Sequence, residues 1–257
     1  MESNTKIIAV SGKGGVGKTS ISSAFVRILA ETYPDKRILA IDADPAVGLS
    51  TALGVEVQTT LDDIRKSIVE SVELGNNREA LEMLNEARFR ILDSLVEEHS
   101  FSFLAIGRPE GAGCYCKVNA YLKEVINLLA HDFDYVVIDG EAGVEQINRR
   151  VMEKVTHLVL ITDPSRKGTQ VIRTIKSVAK DLVMYEKCGA IVNRVLDPSM
   201  IPYIKENIDD TEILAFISGD DRHAANDIRG ESVFTLPEDS PIMQGARDAL
   251  KKLQIIS

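Results

Sequence analysis

Residues 12–19 read Gly12-Lys13-Gly14-Gly15-Val16-Gly17-Lys18-Thr19 (GKGGVGKT), and this stretch decides the fold. A short apolar run, residues 6–10 (KIIAV), precedes it, and a helical pattern over residues 17–31 follows it. Strand, glycine loop and helix is the setting in which such a motif cradles phosphate. Gly14, Gly15 and Gly17 leave backbone N–H groups free to turn toward phosphate oxygens, and the helix N-terminus adds partial positive charge. Lys18 is placed to reach the terminal phosphates of a nucleotide and Thr19 to offer its hydroxyl to Mg²⁺. Gly12, Lys13, Val16 and Ser20 complete the candidate nucleotide contacts of the loop.

Working outward, apolar runs recur at residues 37–41 (RILAI), 103–107 (FLAIG), 135–139 (YVVID), 157–162 (HLVLIT), 189–193 (GAIVN) and 212–217 (EILAFI), with room for helices between them. Unbroken apolar strands alternating with helices predict an α/β fold: a P-loop NTPase with a mostly parallel, doubly wound sheet and helices on both faces. Residues 61–96 are charged, with Leu81, Leu84, Ala87, Ile91 and Leu95 near helical spacing, and are read as a helical insertion. No repeat or linker interrupts residues 1–257, which are read as one domain. The length of 257 residues and 44% apolar content suffice for a core without disulfides or structural metal. A net charge of −9 argues against nonspecific nucleic-acid binding. The N-terminus shows no signal-peptide pattern, and no apolar run nears the ~20 residues of a membrane helix, so a cytoplasmic location is expected.

The run KGGVGKT resembles the deviant Walker A motif of the family that contains the nitrogenase iron protein, the cell-division regulator MinD, the partition ATPases and the arsenite-pump ATPase. That resemblance implies ATP hydrolysis by a homodimer assembled around nucleotide, in which Lys13 crosses the interface to the partner's phosphates. Asp42-Ala43-Asp44-Pro45 follows the second strand, where carboxylates at the end of a parallel strand face the ligand crevice. The family pattern places Asp44 near the attacking water, making Lys13, Lys18 and Asp44 the catalytic set, with Asp42 nearer the metal. A helix-capping role is the competing reading for either aspartate. Asp139 closes YVVID as a Walker B carboxylate for Mg²⁺, and Gly140-Glu141-Ala142-Gly143 is the expected γ-phosphate switch. The resemblance also implies that Asn193, with Arg194 next to it, and Pro237 border adenine; a strand-end turn residue is the competing reading.

The segment Arg108-Pro109-Glu110-Gly111-Ala112-Gly113-Cys114-Tyr115-Cys116-Lys117 carries two of the three cysteines. A cytosolic Cys-x-Cys reads as metal-binding or redox-active. Soft ions such as Zn²⁺ or Ni²⁺ prefer four ligands, and a twofold dimer would supply Cys114 and Cys116 twice. Cys188 opens an apolar strand and is read as a core residue, and His99, His131, His157 and His223 as structural. Gly-Cys-Tyr-Cys after such a P-loop resembles the CooC-type accessory ATPases of carbon monoxide dehydrogenase, as do DGEAGVE at residues 139–145 with Arg149 and Arg150, and DPSRKG at residues 163–168. The resemblance implies a nickel–iron–sulfur client, carbon monoxide dehydrogenase or acetyl-CoA synthase. Gln146 departs from relatives that carry His there. Two other classes compete: an iron–sulfur reductase like the nitrogenase iron protein, although residues 140–150 hold no cysteine, and a positioning ATPase whose tail, residues 244–257, would touch membrane through Arg247, Lys251 and Lys252.

Overall fold

The computed structural model describes residues 5–44, 47–75, 77–107, 116–142, 151, 154–208 and 211–257. Its described strands join into one sheet: β1 (Lys6–Gly12), β2 (Ile38–Asp42), β3 (Val96–Glu97), β4 (Ser102–Ala105), β5 (Tyr135–Ala142), β6 (His157–Thr162), β7 (Lys187–Val195) and β8 (Glu212–Ser218), in the order β3-β4-β2-β5-β1-β6-β7-β8. Every neighbouring pair is parallel except β3 with β4. The carboxyl ends of β2, β5, β1, β6 and β7 therefore share one edge, with β1 at the centre.

Both faces of the sheet are covered, which is why its strands read as continuous apolar runs. Alternate residues of β1 serve opposite layers. Ile7 and Ala9 join the core under α3 (Leu61–Glu73), α5 (Ala87–Asp93), α6 (Cys116–Ala130), α7 (Arg166–Leu182) and α8 (Ile201–Asn207). Ile8 and Val10 join the core under α1 (Lys18–Thr32), α2 (Gly48–Leu53) and α10 (Pro241–Lys252). The remaining described helices are α4 (Asn77–Asn85) and α9 (Asp221–Arg229).

Residues 61–96 depart from the single helical insertion expected. Thr60 and Asp63 form a reciprocal capping box that starts α3, and Gly75, at φ 79°, lies beyond its end. The helical spacing survives from α4 into α5 because Glu86 between them keeps αR geometry. The segment then ends not as helix but as the edge strand β3, where Val96 pairs with Phe103. Most strands outrun their sequence bounds, because polar residues such as Ser11, Gly12 and Lys187 also pair; β4 instead stops at Ala105, short of residues 106 and 107.

The basic tail is not an unpartnered amphipathic helix. Leu250, Leu253, Ile255 and Ile256 are buried in the α1 layer, and the Lys6 and Lys187 ammonium groups donate to the Gln254 and Leu253 carbonyls. No described helix is long and apolar enough to cross a membrane. Gly245, midway along α10, meets β8 closely: a Cβ there would lie 2.3 Å from Ile217 Cγ1. Gly245→Ala should therefore destabilise the fold by about 1–3 kcal/mol in urea unfolding, although alanine is favoured over glycine in a helix by about 1 kcal/mol. A variant as stable as the parent would refute that contact.

Candidate functional site

The loop between β1 and α1 is shaped by backbone. Gly12 is wedged against β6, where a Cβ would lie 2.2 Å from the Ile161 carbonyl oxygen. Gly15 and Gly17 take φ of 77° and 95°, in the left-handed region. Three carbonyls of the loop are taken by side chains: Lys13 O accepts from Lys18 Nζ at 3.4 Å, Gly15 O from Arg194 Nη1 at 2.9 Å, and Val16 O from Asn193 Nδ2 at 2.9 Å. With those carbonyls engaged, the loop can turn its amides toward an anion, and among the described residues nothing lies within 4 Å of where Cβ atoms on Gly14 and Gly15 would stand. Helix α1 starts at Gly17 with no side-chain cap, so its first N–H groups are likewise available. The Ser11 hydroxyl, buried just before the loop, has no hydrogen-bond partner among the described residues. These features fit a phosphate chain.

Two carboxylates line the same edge. Asp139 on β5 accepts from Thr19 Oγ1 at 2.7 Å and from Ser22 Oγ at 2.9 Å, and is almost wholly buried. Asp42 on β2, its register partner on the neighbouring strand, accepts from the Leu49 and Asp44 amides at 2.8 and 3.1 Å. Burial pushes the Asp42 carboxyl up to about 7, with the Asp139 charge adding to it, and burial pushes Asp139 up to about 6 against the lowering pull of Thr19, Ser22 and Lys18. No group of three or more His, Cys, Asp or Glu that could hold a metal occurs among the described residues. Mg²⁺ binds through one or two carboxylates and completes its shell with water and substrate phosphate. Thr19 and Asp139 are the residues that would hold it.

The structure brings most of the expected residues together: Gly12 to Ser20, Asp42, Asp44, Asp139, Asn193 and Arg194 all lie at the carboxyl edge. Asn193 and Arg194 occupy it as braces for the loop, a role that sequence reading missed; Arg194 takes φ 61°, rare outside glycine, to do so. Lys13 points to its own chain, 3.9 Å from Asp163 Oδ2. Pro237 has a different setting from the one expected. The turn before it (Val233–Thr235) is pinned through the Val233 and Leu236 carbonyls to Arg27, nine residues beyond Lys18 and so about 13 Å along α1. The segment that follows β8, Gly219 and Asp220, is the one that the β7–β8 pairing brings beside Asn193. Pro45, Cys114 and residues 143–150 lie outside the described residues, as do the side chains of Cys116 and Glu141. Cys188 packs against the core, with burial pushing its thiol up to about 11. His157 is buried and pushed down to about 4 by that burial, as a structural histidine should be.

The raised carboxylates set a pH dependence. Their ordinary value is 3.8, so between about pH 4 and 7 the folded state holds protons that the unfolded chain has released. Stability of the nucleotide-free protein should then fall as pH rises through that window. In Asp139→Asn the Thr19 and Ser22 hydroxyls can rotate to serve the amide. This variant should melt with a flatter pH profile and gain on the order of 2 kcal/mol at pH 7.5, while losing Mg²⁺-dependent nucleotide affinity. An unchanged melting profile would contradict the assignment.

Comparison with known proteins agrees with this geometry. Residues 7–233 match the family model of the CobQ/CobB/MinD/ParA nucleotide binding domain. The chain is 35% identical over 254 residues to an uncharacterised ATP-binding protein of Methanocaldococcus jannaschii, covering 96% of this chain and 98% of that one. It is 31% identical over 238 residues to the carbon monoxide dehydrogenase accessory protein CooC of Rhodospirillum rubrum, covering 89% of each. Its fold matches the septum site-determining protein MinD of Pyrococcus horikoshii, complexed with Mg-ADP, at a TM-score of 0.68 and 22% identity over 97% of this chain and 96% of that one. The chain belongs to the CobQ/CobB/MinD/ParA nucleotide-binding family and is an ATP-binding P-loop ATPase.

Proposed function

We propose that this ATPase is a cytoplasmic maturation factor for nickel insertion into carbon monoxide dehydrogenase or the related acetyl-CoA synthase. It works as a homodimer joined by ATP and by a Ni²⁺ or Zn²⁺ ion shared between Cys114 and Cys116 of the two copies. One observation carries the reading. Cys114 falls in the stretch between β4 and α6 and Cys116 is the first residue of α6, and β4 runs parallel to β2, so the chain that leads to the motif leaves the sheet at the edge the phosphate loop occupies. The identity to CooC over 89% of both chains supports the choice of client.

In this reading Lys18 and the loop amides hold the β- and γ-phosphates of ATP, and Asn193 with the turn after β8 borders the adenine. Thr19 and Asp139 hold Mg²⁺, which supplies charge neutralisation on the phosphates. Asp44 orients the attacking water, and Lys13 reaches the partner's phosphates. Hydrolysis loosens the dimer and releases the shared ion toward the client.

Metal content and oligomeric state, measured with and without ATP, test the proposal. The wild-type protein should dimerise with ATP and retain about one nickel or zinc per dimer, as a shared twofold site requires. The double variant Cys114→Ser/Cys116→Ser should lose the metal while still binding ATP. Unchanged metal content and dimerisation in that variant would remove the maturation role and leave the ATPase. Iron and sulfide in place of nickel or zinc would favour a reductase.

A further inference from the structure

We infer that Asp163 is a resident counter-ion that parks Lys13 in the single chain, so that dimer closure must first break this pair. The inference rests on the reading that Lys13 crosses to a partner's phosphates.

Sheet register builds the pair. Gly12 at the end of β1 stands opposite Ile161 of β6, so Lys13, one residue on, and Asp163, two residues on and just past Thr162 at the end of β6, leave the sheet at the same edge. Lys13 Nζ lies 3.9 Å from Asp163 Oδ2, with side-chain exposures of 40% and 28%. The two partners differ in freedom. The Asp163 carboxylate is fixed through its other oxygen, which accepts from both the Ser165 amide and the Ser165 hydroxyl, and that hydroxyl in turn caps α7 by accepting from Gly168 N. Lys13 is a flexible chain on a loop. The aspartate is thus the fixed post and the lysine the part that can swing away. Parking satisfies the Lys13 charge beside the phosphate loop without placing it on the chain's own phosphates, where Lys18 already reaches.

A half-exposed ion pair is weak, worth roughly two- to fivefold in an equilibrium constant. A twofold dimer must break it twice, so the two factors multiply to roughly four- to twenty-five-fold. Asp163→Asn removes the charge and keeps an oxygen for Ser165, so the α7 cap persists. With a non-hydrolysable ATP analogue and Mg²⁺, Asp163→Asn should dimerise at a roughly four- to twenty-five-fold lower protein concentration than wild type in analytical ultracentrifugation. The gap should narrow as salt rises from 50 mM to 500 mM, because salt screens the pair only in wild type. Asp163→Glu, which keeps the charge, should stay near wild type.

Equal or weaker dimerisation of Asp163→Asn would overturn the inference, as would a shift shared by Asp163→Glu or a gap insensitive to salt. Lys13→Ala separates the two claims. If that variant dimerises like wild type, the cross-interface reading fails. If it does not dimerise and Asp163→Asn still shows no gain, the parking role alone fails.

Discussion

The phosphate loop depends on what is done with its carbonyl oxygens. A peptide turned so that several N–H groups face one cavity must send its C=O groups the other way, and buried carbonyls need donors. Lys18 takes the Lys13 carbonyl from within the motif, whereas Asn193 and Arg194 reach the Val16 and Gly15 carbonyls from β7, about 180 residues away in sequence. The cradle is therefore a tertiary object. It exists because β6 stands between β1 and β7, and because Gly12 and Gly17 present no Cβ to Ile161 or Asn193.

The same edge carries an electrostatic load. Asp42 and Asp139 are register partners on adjacent parallel strands, so their charges are held close by the sheet itself. Each keeps hydrogen bonds that favour the ionised form, from amides for Asp42 and from hydroxyls for Asp139, yet burial outweighs them and both carboxyls titrate high. A fold that retains two such groups at its centre is less stable without a cation than it need be. This is the imbalance expected where binding energy from a metal and its nucleotide completes the structure.

Sequence and structure agree where information is local. The strand–glycine loop–helix signal, the apolar runs and the Walker B position of Asp139 are each contained in a few consecutive residues, and strand β6 appears with the bounds its pattern gives. Long-range pairings were not legible. Nothing in the sequence around Asn193 and Arg194 says that they brace Gly15 and Val16 or that Arg194 turns left-handed to do it. Pro237 looked like an adenine-side residue because it follows the last strand, but Arg27 anchors the preceding turn far along α1, a contact no spacing rule predicts. The ending of residues 61–96 differs from its helical pattern for a related reason. Helical phase persists through Glu86, whereas the pairing of Val96 with Phe103 is decided by the neighbouring strand.

The sheet topology also ties the base of the cysteine segment to the strand that bears Asp42. The Asp42 carbonyl accepts from Ile106 N, and the Ile106 carbonyl accepts from Asp62 N at the start of α3. Beyond Ile106, Gly107 takes φ 82° and has no room for a Cβ, because Thr60 Oγ1 would lie 2.6 Å away. The chain that leads toward Cys114 is thus clamped at its base between the strand that bears Asp42 and the capping box of α3. Asp42, through its carboxylate, also holds the amide of Leu49 in α2, whose N-terminal Gly48 lies against Thr19. The ligand edge and the base of the cysteine segment are accordingly parts of one hydrogen-bonded frame, in which moving the first without straining the second would require breaking buried backbone hydrogen bonds.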